Sequence, residues 1–194
     1  VSGSLLPIIL AAILRWHPDA PSADQDRYAE IAQAIADEAT AAPLWTAVEP
    51  SEGEAAAVGL PPAAPTATAL LLATVAQHES GFLESVRRCK RRGDQGRSIG
   101  LYQLMSGRAW RGHRAADICA DDHLQARLAL QVLQGARAQC RTCALTFVLR
   151  QYASGDGGKS TPAATRLAAM FALAASRTGL DVAVFSPDAP PRWN

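Results

Sequence analysis

A single glutamate, Glu79, closes an otherwise apolar stretch, TATALLLATVAQHES, that begins at Thr66 and is followed by Gly81 and Phe82. A carboxyl group delivered to an apolar wall loses hydration, which disfavours its charged form and keeps the proton on it toward neutral pH. That is the chemistry of a general acid. The other reactive side chains are arranged less tellingly. His78-Glu79 opens like the helical zinc-protease motif, but the second histidine would fall at position 82, which is Phe82. His113 and His123 flank Cys119 without the spacing of a recognised zinc site, so they read as surface or structural histidines. The run Arg87-Arg88-Cys89-Lys90-Arg91-Arg92 reads either as a contact for a polyanion or as a solvated loop.

The segment Ala153-Ser154-Gly155-Asp156-Gly157-Gly158-Lys159-Ser160 fits the relaxed form of a phosphate-binding loop. Such a loop works between a strand and a helix, with a Mg²⁺ carboxylate ending another parallel strand of the same sheet. The preceding strand would have to be LTFVLRQY, and the first 140 residues offer no companion strands. A nucleotide-binding reading therefore has the loop without its scaffold. The glycines read better as the break between one helix and another that starts at Pro162.

The elements that must position Glu79 are helical. Alanine is abundant, β-branched runs are scarce, and apolar residues recur at three- and four-residue spacings, so the fold class expected is all-α. Helices are expected over residues 5–16, 23–41, 66–82, 121–139, 144–152 and 162–176. Residues 42–65 hold five of the twelve prolines and form a spacer, and the Pro-rich tail is irregular. Three segments follow: N-terminal helices with the spacer over 1–65, a main domain over 66–180, and a tail over 181–194. With 19 basic against 18 acidic side chains the formal charge is +1, which gives no overall pull toward nucleic acid. The opening SLLPIILAAILRW is shorter than the ~20 residues of a membrane span and reads as a short buried helix, with a membrane anchor as the lesser alternative. Its apolar start without a basic leader also suits a chain that begins after an export signal, or one that has been trimmed.

Of the four cysteines, Cys89 pairs most readily with Cys119, because a helix over 121–139 is about 28 Å long and carries Cys140 away from Cys119. Cys140-x-x-Cys143 could close a local disulfide, hold free thiols or supply half of a zinc site.

The order Glu79-Ser80-x-Phe82, Gly93-Asp94-x-Gly96, Gly100-Leu101-Tyr102-Gln103 and Gln151-Tyr152-Ala153-Ser154-Gly155 resembles the lysozyme-like lytic transglycosylases and goose-type lysozymes. The resemblance covers residues 70–158. It implies a helical domain with a sugar-binding groove, Glu79 as catalytic acid, and Ser80, Gly100, Leu101, Tyr102, Gln103 and Tyr152 as substrate-binding residues. Ser80 could orient the Glu79 carboxylate or cap the helix end. Tyr102 stands where the family has methionine, Ala153 where it has asparagine, and Met105 where goose-type enzymes can carry a further aspartate. Asp94, in GDQG, is the candidate second carboxylate.

The resemblance implies cleavage of the MurNAc-β-1,4-GlcNAc bond of peptidoglycan, with no metal and no organic cofactor. With one carboxylate the reaction would end in attack by the muramyl C6 hydroxyl, giving a 1,6-anhydro product; with Asp94 positioning a water it would be hydrolysis. Peptidoglycan strands are then the partner, nucleic acid is not, and an inhibitor or immunity protein is an open question. The setting implied is periplasmic, secreted or phage-associated. A glycan-binding or structural module without catalysis is the alternative from another class.

Overall fold

Helices α1 and α2 take their places because each presents isoleucines one turn apart. The computed structural model describes residues 4–45, 63–107, 109–139, 145–154 and 162–180. Helix α1, Leu6–Trp16, carries Pro7 in its first turn, where a missing N–H goes unneeded, and buries Ile9 and Ile13. Helix α2, Ser22–Ala41, has Asp24 in its first turn, favourable to the helix dipole, and buries Ile31 and Ile35. Both pack against α3, Ala63–Ser80. In α3 three consecutive residues, Leu70, Leu71 and Leu72, are fully buried, so this helix has no solvent face along its middle. Two of its threonines are satisfied within the helix. Thr68 and Thr74 donate to the Ala64 and Leu70 carbonyls at 2.8 Å each, and Thr68 Oγ1 also accepts the Leu44 N–H at 2.9 Å.

After α3 the chain forms a four-residue helix α4, Glu84–Arg87, a turn at Asp94–Gly96, and an antiparallel pair of two-residue strands, β1 (Ser98–Ile99) and β2 (Leu104–Met105). The register places Ser98 opposite Met105 and Ile99 opposite Leu104. Helices α5, Ala115–Ala120, and α6, Asp122–Gln139, follow. The Cys89–Cys119 disulfide ties the segment after α4 to α5. Cys140 and Cys143 lie outside the described residues. Among the described residues the fold is helical apart from this hairpin, in agreement with the all-α expectation.

Arg87, the first residue of the basic run, is buried rather than solvated. Its guanidinium meets Asp122 through Nε at 2.9 and 3.0 Å and through Nη2, Glu30 at 2.6 Å and Glu84 at 3.2 Å, which joins α2, α4 and α6. Arg127 makes a two-pronged bond to the buried Glu38, at 2.9 and 2.7 Å. The Arg87–Asp122 pair fixes where helices lie more than it adds net stability, because both buried charges were first stripped of water.

The chain divides into two compact units, Val1–Leu130 and Gln131–Asn194. The composition places a division after residue 65; the contacts place α1 and α2 with α3 in the first unit, because the isoleucine faces of α1 and α2 need its apolar surface. In the second unit α7, Leu145–Ser154, packs against α8, Pro162–Ser176, which buries Leu167 and Phe171. The LTFVLRQY segment that a phosphate loop would need as a strand is therefore helical, and the glycine run after it lies outside the described residues. No helix among the described residues is long and apolar enough to cross a membrane.

Candidate active site

The end of α3 is shaped by two successive residues in the left-handed backbone region, Gly81 at φ 57° and Phe82 at φ 54°. Glycine takes this conformation freely; for phenylalanine it costs about 1–2 kcal/mol, so something must hold it. The holding contacts are aromatic. Phe82, fully buried, lies 6.4 Å from Trp16 in a stacked arrangement, 6.0 Å edge-on from Tyr28 and 5.9 Å from His17, ring centre to ring centre. The neighbouring His17 Nε2 also lies 2.8 Å from Gln77 Oε1. The N-terminal helices thus pin the end of the helix that carries Glu79. Ser80 serves the same turn: its hydroxyl donates to the Ala76 carbonyl at 2.7 Å and accepts the Phe82 N–H at 3.2 Å. Of the two roles open to Ser80, the described bonds are those of a helix end.

Glu79 itself is partly exposed, with 22 % of its side chain accessible. Burial pushes its carboxyl above the ordinary value of 4.5, His78 pulls it back by charge and by hydrogen bonding, and the negative charge of Asp94 pushes it up again. His78 Nδ1 stands 3.2 Å from Glu79 Oε1. Asp94 accepts a hydrogen bond from Ser98 Oγ, which fixes it at the base of the hairpin.

Glu79 opens on a cavity of about 240 Å³. Its walls are Glu79 and Ser80, then Leu83 and Val86, then Arg91, Arg92, Gly93 and Gln103 from the loop and hairpin. Leu83 is half exposed and forms an apolar edge to the opening. A Cβ at Gly93 would meet Gln103 Oε1, the end of a flexible side chain that would have to shift aside. Gln103, at φ 46°, is braced by its own Nε2, which donates to the Gly100 carbonyl at 3.0 Å.

The hairpin tip is held from beneath. Gly100 sits at φ 74° against Gln125, whose Oε1 a Cβ would strike. Gln125, entirely buried, accepts the Leu101 N–H at 2.7 Å and donates to the Arg87 carbonyl at 3.2 Å. Leu101 and Tyr102 point into the protein and are almost wholly buried, so of the Gly100–Gln103 segment it is Gln103 that reaches the cavity. Burial, with the negative charges of Asp122 and Glu38, holds the Tyr102 phenol far above its normal range. Leu101 and Tyr102 are thus support for the segment rather than surface a ligand could touch.

Glu79, Ser80 and Gln103 therefore meet at one cavity, Asp94 acts on Glu79 electrostatically, and Gly100, Leu101 and Tyr102 lie behind. Tyr152 is half-buried on α7, in the second unit. Reasoning from sequence overlooked Gln125, and it named Arg91, Arg92 and Gly93 without placing them beside Glu79. A signal for Gln125 exists, since it stands four and eight residues before the buried Ala129 and Leu133, on the apolar face of α6. Among the described residues no group of three or more His, Cys, Asp or Glu side chains could hold a metal ion. Compared with family models, curated proteins and solved structures, the chain finds no match.

Proposed function

We propose that this protein is a peptidoglycan-cleaving glycosidase that breaks the MurNAc-β-1,4-GlcNAc bond as a lytic transglycosylase, with Glu79 as its one essential carboxyl group. The observation that carries the reading is the setting of Glu79: it ends a buried helix, burial raises the pKa of its carboxyl, and it lines a cavity open to solvent. A cavity of about 240 Å³ is below the ~300–1,000 Å³ of a closed ligand pocket and suits one subsite along a polymer.

Protonated Glu79 gives its proton to the glycosidic oxygen as the C1–O bond breaks, and GlcNAc departs with a free 4-hydroxyl. Positive charge develops at C1 and the ring oxygen. The Glu79 carboxylate then takes the proton of the muramyl C6 hydroxyl while that oxygen bonds to C1, which closes the 1,6-anhydro ring and restores the acid. Gln103 presents amide chemistry to N-acetyl groups or hydroxyls at the same cavity. A second reading, hydrolysis by a muramidase, is favoured by one observation: Asp94 is near enough for its charge to raise the Glu79 pKa, as a second carboxylate serving a water would be.

Glu79→Gln tests the proposal. It abolishes muropeptide release from purified wall while the helical circular dichroism spectrum is retained; a variant with full lytic activity sinks the mechanism. A protein that pellets with wall and releases nothing in its native form is a glycan-binding module instead.

A further inference from the structure

The cavity that receives Glu79 is also lined by two arginines, Arg91 and Arg92, both exposed to solvent. Arg27, Arg87, Arg88, Arg114 and Arg127 each pair with a carboxylate; Arg91 and Arg92, like Arg15, Arg97 and Arg111, form no ion pair among the described residues, and Arg91 and Arg92 are the ones that line this cavity. The segment that carries them is tied down. Arg91 N–H bonds to the Ser85 carbonyl at 2.7 Å, Arg92 Nε donates to the Cys89 carbonyl at 3.5 Å, and Cys89 is held by its disulfide. Neither guanidinium serves the catalytic acid, because the charges that act on Glu79 are those of His78 and Asp94. Two cations with no ion-pair partner among the described residues thus border a cavity whose other lining groups are apolar, amide, hydroxyl, backbone or the Glu79 carboxyl, whose pKa burial raises.

A planar guanidinium matches a carboxylate through two parallel N–H···O bonds, a geometry that a neutral sugar hydroxyl does not reproduce. We propose that Arg91 and Arg92 bind a carboxylate carried by the glycan beside the scissile bond, so that the site selects anionic over neutral β-1,4-linked N-acetylhexosamine polymers. The choice of polymer rests on the glycosidase reading above; the preference for negative charge rests on the two arginines. The carboxylate has two sources. In strands without peptides it belongs to the 3-O-lactyl ether of the muramyl sugar, and in strands with peptide stems, where that group is an amide, it belongs to the stem.

The test uses the full-length Glu79→Gln protein, so that binding is read without turnover. Its dissociation constants are measured for three oligomers of equal length: muramyl strands stripped of peptide, strands bearing peptide stems, and a chito-oligosaccharide with no carboxylate. A charge-assisted contact at an exposed site is worth about tenfold in affinity. At least one anionic oligomer binds about tenfold more tightly than the neutral one, and which of the two does so identifies the source. Adding Arg91→Gln and Arg92→Gln erases that preference, whereas adding Arg114→Gln, which removes an exposed guanidinium elsewhere, retains it. Equal affinity for all three oligomers, no binding to any, or an equal loss on all three in the double arginine variant overturns the inference. Muropeptide release by the native protein is scored separately. A protein that prefers anionic strands but cuts none refutes the glycosidase and keeps this inference, and one that cuts without charge preference does the reverse.

Discussion

Replacing Gln125 by leucine removes the two hydrogen bonds that hold the hairpin tip while keeping nearly the same side-chain volume. Both bonds are buried: the Leu101 N–H at 2.7 Å and the Arg87 carbonyl at 3.2 Å lose their partner at once. An orphaned buried donor or acceptor costs about 1–3 kcal/mol, so two cost about 2–6 kcal/mol. The added apolar burial of leucine returns about 1 kcal/mol, which leaves a net loss of about 1–5 kcal/mol. At about 3 °C per kcal/mol for a chain of this size, the melting temperature falls by about 3–15 °C. Urea unfolding under non-reducing conditions, followed by circular dichroism, measures the free energy directly. Gln125→Glu keeps an acceptor for Leu101 and, while protonated, an O–H donor for the Arg87 carbonyl, so its destabilisation sets in as the carboxyl ionises and that donor is lost. If Gln125→Leu unfolds within about 0.5 kcal/mol of the native protein, the hairpin tip is not held as described.

Replacing both Cys89 and Cys119 by serine opens a loop of sequence separation 30, which in the chain-entropy model costs about 3–4 kcal/mol. Denaturant unfolding of the native protein with and without reductant gives the same comparison, and coincident curves would refute a stabilising role for the bond. Glu79 supplies a pH prediction whose sign follows from its raised pKa. A carboxyl that binds its proton more tightly folded than unfolded contributes stability fully below its ordinary value of 4.5 and loses it as pH rises through the higher folded value. Glu79→Gln therefore matches the native protein in acid and becomes the more stable of the two above that window, by about 1.4 kcal/mol for each pKa unit of elevation. Melting temperatures measured across pH that stay parallel for the two proteins contradict the burial of this group.

The long helices were legible because their apolar spacing repeats over many residues. α6 is observed at Asp122–Gln139 against an expected 121–139, and α8 at Pro162–Ser176 as expected. The elements that shape the site were not legible. Strands of two residues are too short to show alternation, and α4 and α5, of four and six residues, complete hardly more than a helical turn. Glu79 at an apolar helix end could be read locally. What could not be read was burial set by distant partners. Arg87 hides within a run of six mostly basic residues, and only Glu30 and Asp122, 57 and 35 positions away, decide that it is inside. Tyr102 and Leu101 lie in a segment whose resemblance implied contact with sugar, yet the inward turn of the hairpin tip, set by Gln125, makes them core. Phe82 in the left-handed region depends on Trp16 and Tyr28, more than 50 positions upstream.

Mass spectrometry of the products released from purified peptidoglycan tests the central claim most directly. Native protein is predicted to release muropeptides ending in 1,6-anhydro-muramyl groups, lighter by one water than reducing ends, and Glu79→Gln to release none. Reducing ends only would contradict the transglycosylase reading and assign the water to Asp94, while undiminished release by Glu79→Gln would contradict the role of Glu79 altogether.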